Sequence, residues 1–189
     1  MSDVAIGDWP LVERNALPPE FAWLREAFPR SRGAEASIPP SATHWLQMHA
    51  GFRQASQHME QVTEAYRNGT IDLRGFHDRL LPALSGFLQH LDGHHNIETT
   101  HYFPRFRAIE PRIVPGIDLL DRDHDAVHAK LQILADCGNA LHRAVRAGDS
   151  QAVDQAARMA DALEAATPPL LRHLDDEEDI VIPLMALKS

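Results

Sequence analysis

Two phrases of this 189-residue chain repeat each other at a spacing that leaves few folds open to it. His90–Pro104 reads HLDGHHNIETTHYFP, and Leu170–Pro183 reads LLRHLDDEEDIVIP. Placing His94 on His173 carries Glu98 onto Glu177 and Pro104 onto Pro183, each at an offset of 79 residues. The same offset carries His49, in WLQMHAGF, onto His128, in RDHDAVHAK. Each half of the chain therefore supplies a histidine and then, 45 residues later, His-x-x-x-Glu. Residues four apart share a helical face with Cβ atoms about 6 Å apart, so each His/Glu pair can reach one centre.

The remainder of the chain is compatible with that helical demand. Everything after Pro40 reads as helix. A first helix is capped by Ser41 and runs to about Arg67, where Asn68-Gly69 stops it. A second stretch runs from about Asp72 to Ile109, interrupted or kinked at Pro82 and ended by Pro111, with Pro115-Gly116 in the connection. A third covers about Ile117–Ala147 before Gly148-Asp149. The fourth runs from Ser150 to about Leu187, with a break expected at Thr167-Pro168-Pro169 and a fresh helix capped by Thr167. The expected fold is all-α, an up-down-up-down antiparallel four-helix bundle over residues 41–189, with residues 1–40 as an N-terminal extension lying on it. Within the extension Phe21, Leu24 and Phe28 predict one short helix, about Glu20 to Phe28, and Arg30–Ser37 reads as a linker.

Such a bundle turns the paired residues inward at one level, where helical bundles build metal sites. The candidate metal ligands are His49, His94, Glu98, His124, His128, His173 and Glu177. Imidazole and carboxylate donors suit iron, zinc or manganese alike, and two carboxylates able to bridge point to two ions. The halves differ at one position: His124 shares a face with His128, while its counterpart in the first half is Trp45. One ion thus has three imidazoles and the other has two, leaving an open position near Trp45 on the His49/His94 ion. His95 competes with His94, and Glu178 with Glu177; the match between the halves favours His94 and Glu177. His90 and His101 lie roughly on the inward face, as candidates for orienting ligands or moving protons. Tyr102, four residues past Glu98, is a candidate hydrogen-bond donor toward the site. Trp45, Phe52, Phe87, Leu91, Ile97, Leu131 and Leu170 are expected in the apolar wall and Cys137 in the core. The run Asp175–Asp179 is expected to be a solvated face apart from Glu177, with His44, His58, His77 and His142 on the surface.

Composition narrows the function classes. The net charge of −9 argues against nucleic acid or an acidic membrane surface as partner. One cysteine excludes an internal disulfide and disfavours thiolate sites. The early Asp3 and the lack of a basic stretch before an apolar run do not read as a signal peptide. No segment reaches the ~18 apolar residues of a membrane span, so a cytoplasmic protein is expected.

The set His49, His94-x-x-x-Glu98, His124-x-x-x-His128, His173-x-x-x-Glu177 resembles the hemerythrin-like family, which carries HHE cation-binding domains, over about residues 41–187. The resemblance implies a four-helix bundle holding a non-haem di-iron centre, two Fe ions bridged by the two carboxylates and an oxo or hydroxo group. It implies that O2 or a related small ligand binds at the two-histidine iron. The last helix departs from the oxygen carriers, using His-x-x-x-Glu where they place an Asp at longer spacing, which bears on whether bound O2 is released or reduced. Three readings follow: binding or sensing of O2, an enzyme turning over peroxide, O2 or nitric oxide, and an iron-handling or regulatory protein.

Overall fold

The computed structural model describes residues 9–30 and 38–188, and every regular element among them is helical. Short 3-10 turns at Leu11–Glu13 and Pro19–Phe21 precede α1 (Ala22–Ala27). The long elements are α2 (Pro40–Arg67), α3 (Leu73–Ile97), α5 (Val114–Ala147) and α6 (Ala152–Lys188), with the short α4 (Phe103–Ile109) between α3 and α5. The expected linker, apart from Arg30, lies outside the described residues.

The punctuation of these helices follows local chemistry. Gly69 and Gly148 take the left-handed conformation, φ +76° and +63°, and end α2 and α5. Asp72 Oδ1 accepts from the Gly75 N–H at 2.7 Å and caps α3, and Asp149 Oδ1 accepts from the Gln151 N–H at 2.8 Å ahead of α6. The first long helix begins at Pro40 rather than behind a Ser41 cap, since a proline at the first position loses no helical bond. For the same reason Pro115 and Gly116 belong to the first turn of α5 and not to the connection.

The expected break at Thr167-Pro168-Pro169 does not occur: α6 is one helix from Ala152 to Lys188. The prolines strip helical donors from the carbonyls of Glu164 and Ala165, but both residues are exposed, where water supplies the missing partner. Thr167 Oγ1 also donates to the Leu163 carbonyl at 3.0 Å, holding the turn that enters the pair. Pro82 lies inside α3 on the same terms, because Asp78, whose carbonyl it leaves unpaired, is exposed. At Pro104 the backbone does change. Glu98–Tyr102 is a π turn, with the Phe103 N–H bonded to the Glu98 carbonyl five residues back.

Packing divides the chain into two compact units. The first comprises Met1–His49, Asn96–Ala126 and Pro169–Ser189; the second comprises Ala50–His95 and Val127–Pro168. In the first unit Phe21, Leu24 and Phe28 of the N-terminal arm are buried with Trp45, Phe103, Phe106, Ile117, Leu120 and Ile180. These three side chains of the arm are therefore part of this core. Gly116 makes room for them: a Cβ there would stand 3.2 Å from Phe21, Ile113 and Ile180 alike. Each such buried Leu, Ile or Phe contributes about 1.5–3 kcal/mol. In the second unit Phe52 meets Phe87 edge-on at 6.2 Å, and Tyr66 stacks on Phe76 at 4.5 Å. Leu80, Leu91, Leu134, Leu141 and Met159 are buried there, while Cys137, expected in the core, is only half-buried.

Candidate metal centre

Five of the seven candidate ligands come together inside the first unit: His49 from α2, Glu98 from the π turn, His124 from α5, and His173 and Glu177 from α6. All five are buried, with Glu98 1% and Glu177 0% exposed. His49, Glu98 and Glu177 each bring a donor atom within 4.8 Å of the others, and so do His124 and His173. The imidazole Nε2 atoms face the carboxylates. His49 Nε2 lies 3.4 Å and His173 Nε2 3.6 Å from Glu177 Oε2, and His124 Nε2 lies 3.3 Å from Glu98 Oε2.

The opposite nitrogen of each ring is backed by a polar group. His49 Nδ1 is 3.0 Å from Glu178 Oε1, and His173 Nδ1 is 3.6 Å from Asp123 Oδ2. Thr99 Oγ1 donates its one hydrogen to Asp121 Oδ1 at 3.0 Å, so at 3.1 Å it accepts from the Nδ1–H of His124. That bond leaves the lone pair of His124 on Nε2, aimed at Glu98. Metal-binding histidines are held in this way, by an outer acceptor that fixes tautomer and ring orientation.

Electrostatics point the same way. Burial raises the Glu98 carboxyl well above its ordinary range, and the neighbouring Glu177 carboxylate raises it further. Burial also opposes ionisation of Glu177, but His49 and His173 outweigh it and hold that carboxyl well below its ordinary value. His49 is driven up to about 9: burial works against its charge, while Glu177 and Glu178 prevail. Two carboxylates in one dry interior, met by imidazoles, are costly by themselves and are the donor set that divalent or trivalent cations neutralise. The residues fit a metal site.

A pH dependence follows with a definite sign. The folded value of His49 lies above its ordinary 6.5, so its ion pairs stabilise the metal-free protein below pH 6.5, and that contribution is lost as pH rises through about 9. A metal must displace the same proton. Apparent metal affinity is expected to climb from pH 6.5 toward about 9, and loading near pH 7 to release a proton attributable to His49. Calorimetric titration in buffers of different ionisation enthalpy counts those protons; pH-independent loading without proton release would contradict the assignment.

The other two candidate ligands belong to the second unit. His94 is buried against Phe52, ring centroids 5.2 Å apart, in the last turn of α3 and four residues before Glu98 in sequence. The His128 side chain is 42% exposed; its Nε2 is 3.3 Å from His95 Nδ1 and 3.9 Å from Asp92. His95 is buried. His90 and His101 are exposed, so neither takes up the expected orienting position. Ile97, expected in the wall, is 51% exposed: it precedes Glu98 by one residue, a rotation of about 100° that turns it outward. Trp45, Phe52, Phe87, Leu91, Leu131 and Leu170 are buried as expected. Tyr102 meets the Trp45 ring edge-on at 4.9 Å.

The acidic run also departs from expectation, because Asp176 is fully buried and Asp179 is covered by Arg25 and Arg30 of the arm. The sequence assigns no separate role to Arg14, Asp123, Asp176 or Thr99, and offers Glu178 only as a competitor of Glu177, where the structure sets it behind His49. Their one visible signal is adjacency: Asp123, Asp176, Glu178 and Thr99 each neighbour a candidate ligand.

Among the described residues no helix is long and apolar enough to cross a membrane. Neither the curated proteins nor the solved structures give a match to the chain. The family description "Hemerythrin HHE cation binding domain" matches residues 40–185. The chain belongs to the hemerythrin HHE cation-binding domain family.

Proposed function

We propose that this protein holds two iron ions between Glu98 and Glu177 and binds O2 or a related small ligand at the iron left coordinatively open. The observation that carries this reading is the common orientation of His49, His124 and His173: Nε2 toward the two buried carboxylates, Nδ1 against an outer polar group. By sequence, His94, four residues before Glu98, is the candidate that would serve the open ion with His49. The remaining imidazole comes from His128 or from its contact partner His95, and burial favours His95. Bound iron supplies electrons and open coordination to the small ligand. The chain's own residues would hold the iron: outer polar groups fix the rings, Glu98 and Glu177 would supply the carboxylates, and Trp45, Phe103 and Phe106 are buried in the same core.

Binding is favoured over turnover by the placement of the proton carriers. Reduction of peroxide or O2 consumes protons, and His90 and His101 stand in solvent while Tyr102 packs on Trp45. Metal analysis of the purified chain is expected to give two iron per chain, and the reduced protein to form a lasting adduct in air. One zinc without iron would sink the di-iron reading. Steady consumption of added hydrogen peroxide would replace binding with catalysis.

A further inference from the structure

Among the described residues, Arg14 of the N-terminal arm reaches the aspartates that stand behind the candidate ligands. Arg14 is buried and lies outside the region matched by the family, which begins at residue 40. Its guanidinium donates Nε–H to Asp176 Oδ2 at 2.7 Å and Nη2–H to Asp123 Oδ2, while Nη1 donates to the Trp9 carbonyl at 2.8 Å. Asp123 is the outer partner of His173 Nδ1 and the residue before His124. Asp176 is the residue before Glu177. A second arginine closes the arrangement: Arg172, the residue before His173, pairs with Asp176 Oδ1 at 2.7 Å and donates to the arm's Asn15 carbonyl at 3.1 Å. Two arginines and two aspartates thus form a neutral network directly behind three of the candidate ligands. The arm is seated independently by Phe21, Leu24 and Phe28 in the core.

We propose that Arg14 is a positioning residue for the metal centre, and that metal retention depends on the N-terminal arm that carries it. The proposal rests on the metal-centre reading above. The planar fork of Arg14 meets Asp176 through Nε and Asp123 through Nη2, a geometry no single ammonium reproduces. With Asp123 fixed, a carboxylate oxygen stays 3.6 Å from His173 Nδ1, at ion-pair distance behind the ring. With Asp176 fixed, the turn of α6 that presents Glu177 cannot rotate. Loss of an outer partner of a metal-binding ring commonly weakens a site ~10–100-fold.

The test uses the full-length, iron-loaded chain and two variants. Arg14→Lys keeps one charge but cannot span both aspartates. The triple variant Arg14→Met, Asp123→Asn, Asp176→Asn removes Arg14 and both aspartates together, so neither carboxylate is left buried without Arg14, while the part-exposed Arg172 keeps Asp175 at 3.9 Å. Iron release into excess ferrous chelator is timed, and the melting temperature of each metal-free protein is measured beside it. The expected result is release at least ~10-fold faster in both variants, with metal-free melting temperatures close to the parent. Release at the parental rate from either folded variant would overturn the proposal. Failure of the triple variant to fold would overturn it too, assigning the network to folding rather than to the site. Absence of iron from the parent protein defeats the metal reading instead, and it is read before any variant is made.

Discussion

Glu98→Gln is expected to abolish stable loading of the metal pair while leaving the metal-free protein at least as stable as the parent. Most substitutions of a buried ligand lower both quantities, and the two carboxylates explain why this one separates them. Glu98 is buried and raised well above its ordinary range, by burial first and by Glu177 second. An unfolded chain releases that proton near pH ~4.3, so at neutral pH the raised value opposes folding. The penalty is present above the unfolded value and fades as pH falls below it. Glutamine keeps the shape and a donor that can face Glu177, and it carries no proton to lose. It cannot bridge two cations as a carboxylate does. The loss of affinity is expected to exceed the ~10–100-fold seen when only an outer partner is removed. Melting curves of metal-free parent and variant at pH 5 and pH 8 check the second half: the variant's advantage grows toward pH 8. Each kcal/mol is worth about 2–4 °C in a domain of this size. A variant melting several degrees below the metal-free parent would show that the carboxylate is not held there at a cost.

The same residues show what was legible in the chain and what was not. That five of the candidate ligands would meet could be read because helical spacing converts sequence distance into direction. His173 and Glu177 both face the interior because they are four apart, whatever else surrounds them. The network behind them could not be read, because its members are distant in sequence. Arg14 meets Asp123 across 109 residues and Asp176 across 162. Read locally, DDEED is a solvated acidic run; Arg14 and Arg172 pair with Asp176, and Arg25 and Arg30 cover Asp179. Helix continuity through Pro168-Pro169 was hidden for a related reason. A proline's cost depends on whether the carbonyl it strips is wet, and exposure belongs to the fold rather than to the dipeptide. His95 and His128 mark the same boundary at the ligand level. The repeat between the halves selects His128, yet burial favours His95.

Trp45→His is expected to close the open coordination position and lower azide binding by the oxidised di-iron protein at least ~10-fold, the loss that follows when a competing internal ligand takes the site. Trp45 is buried, its ring centroid 6.3 Å from that of His49, one turn along α2, and aligned in sequence with His124. The position is therefore on the right face for a ligand and is filled by a group that cannot be one. An indole has no lone pair to offer a metal, and in the proposed reading its bulk would keep water from the open position. Tyr102 at 4.9 Å and Phe106 at 6.3 Å clamp the indole, so histidine at this position leaves a gap costing about 2–4 kcal/mol. Packing loss and ligand closure are told apart by a third protein, Trp45→Phe, which shrinks the ring without adding a donor. Azide binding that survives in Trp45→Phe and fails in Trp45→His places the open position beside residue 45. Equal binding by all three would move the vacancy to the other iron, and the unevenness of the two halves would then have no bearing on where the small ligand binds.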